Sequence, residues 1–245
     1  MSQGPSDEAS RVAGPGRQPG ELADRQAALE VAIKAGDVER VRTLLDGNPE
    51  LTAGSGQNGN TPLLLATYYH ANEIVQMLVE RGAPVSVFEA AAIGDARRVR
   101  QMLDDQPELI LSFSHDGWTL LHLAAHFGQL AVAELLLARG AEVDVRSTNA
   151  LANTPLHAAL AGGHPAMARR LVDQGANVKA VDAGGYAPLH LASDQGDAEM
   201  VGLLLERGAH INARAEDGRS PQDLARAKGH AAVADQLDRQ MSGSA

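Results

Sequence analysis

Self-similarity along the chain constrains its fold more than any other feature. The segments opening at Asn60, Trp118, Asn153, Tyr186 and Arg219 (NTPLLLATYY, WTLLHLAAHFG, NTPLHAALAGGH, YAPLHLASDQG and RSPQDLARAKGH) superimpose. Their second residues, Thr61, Thr119, Thr154, Ala187 and Ser220, are spaced by 58, 35, 33 and 33 positions. The 58-residue gap hides another copy, because the stretch from Leu29 (LEVAIKAGDVERVRTLLDGNPEL) aligns with that from Val87 (VFEAAAIGDARRVRQMLDDQPEL) at the same 58-residue offset. Residues placed where a first helix should close run Gly36, His70, Gly94, Gly128, Gly163, Gly196 and Gly229, which makes seven units of about 33 residues. The step from His70 to Gly94 is short, so the third unit lacks part of its loop, and the first four units read as a duplicated pair.

Each unit reads as helix, turn, helix and return loop. Thr154 is placed to cap a helix that starts at Pro155, its hydroxyl accepting a backbone N–H that has no helical partner. Leu156, Ala159 and Leu160, then Met167, Leu171 and Val172, recur at helical spacing, and the alanines let two helices approach closely. Two short helices cannot bury that surface alone, so neighbouring units must stack. Gly82, Gly140, Gly175 and Gly208 follow the second helices, where a left-handed cap favours glycine.

Thr-Pro-Leu-His-x-Ala, a Gly-His turn, paired leucines and Gly-Ala-x-Val at these offsets resemble the ankyrin repeat family over residues 25 to 240. The resemblance implies an all-α solenoid of stacked helix-turn-helix units, with β-hairpin-like fingers lining a concave face. Units are expected at about 25–57, 58–85, 86–114, 115–148, 149–181, 182–214 and 215–240, with residues 1–24 disordered and 241–245 a tail. It also implies that His122, His157 and His190 tie helix to finger through backbone and Thr hydroxyl contacts. The last unit has Gln222, Asp223 and Asp238 where others have Leu, His and Leu, and reads as a polar cap.

The composition narrows the function classes. With no cysteine among 245 residues, disulfides, thiolate metal sites and Cys nucleophiles are excluded. A formal charge of −10 argues against nucleic-acid or anionic-membrane binding and suits a partner with a basic patch. Neither a signal-peptide core nor a membrane-length apolar run occurs, so the chain is expected to be cytoplasmic and monomeric. Its 18 arginines against 3 lysines, with abundant Ala and Gly, suggest a GC-rich genome and a bacterial source.

No phosphate-binding loop, nucleophile elbow or dinucleotide fingerprint appears, and no cofactor is expected. The expected function is therefore noncatalytic protein binding on the concave face. A structural or self-associating subunit is the alternative, and a metal-dependent activity at His122 and His126, one helical turn apart, is a third. Aromatic residues dominate many interfaces, and the seven here fall at informative positions. Tyr68, Tyr69, Trp118, Phe127 and Tyr186 occupy slots that in the family face the groove, and His126, Asp194, Gln195 and Arg219 occupy equivalent ones. Together they form the candidate partner-binding set, with an aromatic centre expected across units two to four. Phe88 and Phe113 read as structural.

Overall fold

The computed structural model describes residues 19–56 and 59–243. The chain divides into two compact units, residues 1–84 and 85–245. In the first, α1 (Pro19–Lys34) pairs with α2 (Val38–Gly47), and α3 (Pro62–Tyr68) with α4 (Asn72–Glu80). The second holds five such pairs: α5 (Val87–Ile93) with α6 (Ala96–Asp105), α7 (Leu120–His126) with α8 (Leu130–Ala138), α9 (Pro155–Ala161) with α10 (Pro165–Asp173), α11 (Pro188–Gln195) with α12 (Ala198–Glu206), and α13 (Pro221–Ala227) with α14 (Ala231–Gly243). Among the described residues there is no strand, and no helix is long and apolar enough to cross a membrane.

After α1, the opening helices are short because their punctuation is strict. Thr61 and Thr119 accept the N–H three residues on, and Pro sits at the first helical position of α3, α9, α11 and α13. Each opening helix then closes in a left-handed residue: φ is 66° at Gly36, 53° at His70, 83° at Gly94, 68° at Gly128, 72° at Gly163, 73° at Gly196 and 79° at Gly229. The seven turn positions read from the sequence therefore share one backbone conformation, including the one that is not glycine.

The apolar faces stack in order. In the second unit α7 packs between α5 and α9, α11 between α9 and α13, and the second helices follow, α6 on α8 and α10 on α12. The contact layer is built from alanine and leucine, with Ala90, Ala91, Ala124, Ala125, Ala158 and Ala159 inaccessible to solvent. The fingers are hydrogen-bonded turns rather than strands. Ser114 N donates to Trp118 O (2.8 Å), Asp182 N to Tyr186 O (3.0 Å) and Ala215 N to Arg219 O (3.0 Å). Each finger is bonded to the next: Thr148 N to Gly117 O, Ala183 N to Leu151 O and Glu216 N to Gly184 O, all at 2.8–2.9 Å.

The expected disorder of residues 1–24 needs correction for its last part, since α1 begins at Pro19; residues 1–18 lie outside the described residues. Pro19 presets the first helical φ, no breaker intervenes between Glu21 and Lys34, and Arg25 both faces Glu21 one turn away and donates to the Asn48 side chain. Those contacts continue the helix beyond the repeat's own apolar pattern.

Candidate functional site

Three histidines fasten successive units. His122 Nε2 lies 3.0 Å from the carbonyl of Asn153, His157 Nε2 3.0 Å from that of Tyr186, and His190 Nε2 3.2 Å from that of Arg219. A carbonyl can only accept, so each Nε2 carries the proton and each Nδ1 is left to accept. Nδ1 of His122 and of His157 takes the Thr119 and Thr154 hydroxyls at 2.8 Å. Ala187 has no hydroxyl, and there Nδ1 of His190 accepts the Ala187 N–H directly at 3.0 Å. Burial of the neutral ring pushes His122 down to about 4 and lowers His157 and His190 as well.

This bonding answers the metal reading. Both nitrogens of His122 are committed to hydrogen bonds, one to the Thr119 hydroxyl and one to the Asn153 carbonyl. Among the described residues no group of three or more His, Cys, Asp or Glu is arranged to hold a metal ion.

The aromatic candidates separate into a packed set and a displayed set. Trp118 and Phe127 are each only 8% exposed. Trp118 stacks on His122 with ring centroids 6.1 Å apart and meets His126 edge-on at 5.0 Å, while His126 meets Phe127 at 4.9 Å. These rings form a ladder along α7 in which Trp118 and Phe127 are packed. In the first unit Tyr68 is half-buried and Tyr69, the last residue before the left-handed turn, is 50% exposed.

Tyr186, Asp194, Gln195 and Arg219 do converge. They line one open cleft of about 390 Å³ floored by Leu191 and Leu224. The Tyr186 hydroxyl donates to Asp217 Oδ2 at 2.6 Å, Arg219 Nε donates to the same oxygen at 2.6 Å, and the Arg219 guanidinium bonds the Tyr186 oxygen while lying 5.6 Å from the ring centre. Asp217 is held down at about 2 by those bonds, and its acceptance of the phenol proton raises Tyr186 above its ordinary value. On α11, the Gln195 side chain donates to Leu160 O, Lys228 Nζ lies 3.8 Å from Asp194 Oδ2, and His230 Nε2 donates to Asp194 O at 3.0 Å.

Asp217 is the member that motif slots did not reveal. Its signal is the Asp-Gly at the finger tip, repeated at Asp116-Gly117. The arrangement offers an oriented aromatic face, an arginine and carboxylates at an open cleft.

Two family models match the chain: "Ankyrin repeats (3 copies)" over residues 12–89 and 142–215, and "Ankyrin repeat" over residues 116–148. Among curated proteins, a homolog of transient receptor potential cation channel subfamily A member 1 from Caenorhabditis elegans is 31% identical over 49% of the chain and 11% of its own length. The ankyrin repeat domain-containing protein SAT10 of Stachybotrys chartarum is 30% identical over 66% of the chain and 8% of its own length. The NF-kappa-B inhibitor cactus of Drosophila yakuba is 27% identical over 48% of the chain and 25% of its own length. The chain thus spans a quarter or less of each of these relatives.

Proposed function

The chain belongs to the ankyrin repeat family, and from that premise we propose that it is a noncatalytic binding module that holds a partner protein on the concave face of its second unit. The observation that carries this reading is the preset cluster at the cleft. Tyr186 is fixed by Asp217 and Arg219 before any partner arrives, so little side-chain entropy remains to be lost on binding. Tyrosine and arginine are also the residue types that most often dominate interface energetics. Asp194 and Asp182 flank the same cleft and suit a basic contact on the partner. The presence of an inhibitor of NF-kappa-B among the relatives fits a role exerted through another molecule.

Affinity capture from a lysate of the source organism tests this reading. The intact chain is compared with a Tyr186→Ala, Arg219→Ala variant, with far-UV circular dichroism as the folding control. A protein held by the first and lost by the folded variant is the expected result. Equal retention by both would move the binding surface elsewhere. Exposed Tyr69 in the first unit is tested separately by Tyr69→Ala in the same assay.

A further inference from the structure

The 58-residue duplication contains its own comparison. It aligns Ala53 with Leu111 and Ser55 with Phe113, so two small residues in the first copy are large and apolar in the second. The strap carrying them behaves differently in each copy. The turn Pro49–Ala53 packs against α1, α2 and α3 and buries Leu51. The turn Pro107–Leu111 packs mainly on α6 and buries none of its residues. Leu111 is 73% exposed and Phe113 40%.

The strap stands away from α7 and leaves a cleft of about 260 Å³, whose floor is the buried Leu120, Leu121 and Leu136 and whose far wall includes Val145. That volume falls below the roughly 300–1,000 Å³ of small-molecule sites and suits one large apolar side chain. The rim carries a carboxylate. Glu142 is the charged residue of the lining, is exposed and makes no ion pair among the described residues, while Glu108, outside the lining, is exposed on the strap. Arg139, which follows α8, is committed to Asp104 at 2.6 Å, and Arg146, beside Val145, donates to the Ala152 carbonyl at 2.8 Å. A rim carboxylate repels the headgroups of an anionic bilayer and attracts lysine or arginine.

We propose that this cleft is a second docking site, separate from the Tyr186 cluster, for a segment of a partner protein that inserts one leucine-like side chain and flanks it with basic residues. Leu111 and Phe113 close over the inserted side chain, and Glu142 and Glu108 pair with the flanking cations.

The test titrates the full chain, labelled at Leu and Val methyl groups, with a short synthetic peptide carrying one leucine between arginines. Shifts are expected at Leu121, Leu136 and Val145, weakening as salt is raised. Serine in place of the peptide's leucine, or glutamates in place of its arginines, is expected to abolish them. Leu111→Ala with Phe113→Ser installs the first copy's residues; because both side chains are exposed, the urea midpoint should stay put while peptide affinity falls at least about tenfold, or about 1.4 kcal/mol. Glu142→Gln should weaken binding several-fold. Absence of methyl shifts, equal binding of the serine peptide, or a double variant that binds as well as the parent would overturn the proposal. So would a double variant with a lowered urea midpoint, since the pair would then be structural.

Discussion

At the residue scale, one threonine-to-alanine difference isolates what the cap contributes. Thr119 and Thr154 present a hydroxyl to their histidine at 2.8 Å, and the backbone N–H stands back at 3.4 Å. At Ala187 the hydroxyl is gone and the N–H closes to 3.0 Å, so the histidine keeps an acceptor bond while the helix loses its side-chain cap. Restoring it with Ala187→Thr is expected to raise stability by about 1 kcal/mol in urea denaturation. Asp223 shows the same slot filled by a shorter group: its carboxylate takes the Ser220 N–H at 2.9 Å and the hydroxyl at 2.6 Å, but it does not reach forward as histidine does. Two adjacent glycines are required for different reasons. Gly163 has φ of 72° with open space around it, whereas a Cβ on Gly162 would stand 2.1 Å from the His126 carbonyl oxygen. Gly162→Ala should therefore force α9 away from α7 and cost about 1–3 kcal/mol, read as a lowered midpoint of Trp118 fluorescence.

At the scale of elements, the turn between paired helices carries a conformational demand that one unit meets at a cost. His70 sits at φ 53°, where every equivalent position has glycine. Relief of about 1–2 kcal/mol of left-handed strain, offset by the extra freedom glycine gives the unfolded chain, predicts that His70→Gly stabilises the first unit by about 0.5 kcal/mol. Hydrogen exchange of the α3 and α4 amides measures it, and faster exchange would contradict it. Second helices are joined by a repeated ion pair: Arg81 with Asp46, Arg139 with Asp104 and Arg207 with Asp173, at 2.6–2.8 Å. Asp46 and Asp104 have arginines some 35 residues away in sequence, and only stacking brings them together. Such exposed pairs contribute about 0–1 kcal/mol each and serve register more than stability.

Across the whole molecule, the histidine relay makes stability depend on pH. Above about pH 6.5 the rings are neutral both folded and unfolded and contribute no pH dependence. Between 6.5 and 4 the unfolded chain binds protons that the folded relay refuses, so stability falls as pH falls, and the His122 share, about 3 kcal/mol, is fully lost below about 4. His157 and His190 act in the same direction. Urea midpoints should drop from pH 7 to pH 4.5, and His122→Gln should flatten that slope; an unchanged slope would place the pH sensitivity elsewhere. The repeat, its turns, its caps and its family were legible in the sequence because they are local: Thr-Pro fixes a helix start, and glycine at a left-handed position fixes its end. The histidine slots were legible only through the family resemblance, and their proton positions only once Asn153, Tyr186 and Arg219 stood opposite. Spacing alone could not separate Trp118 and Phe127, which pack along α7, from Tyr186, whose ring Asp217 and Arg219 hold at an open cleft. Side-chain burial and the choice of partner 30 residues away depend on how adjacent units dock, and docking is a property of the stacked structure rather than of any one repeat.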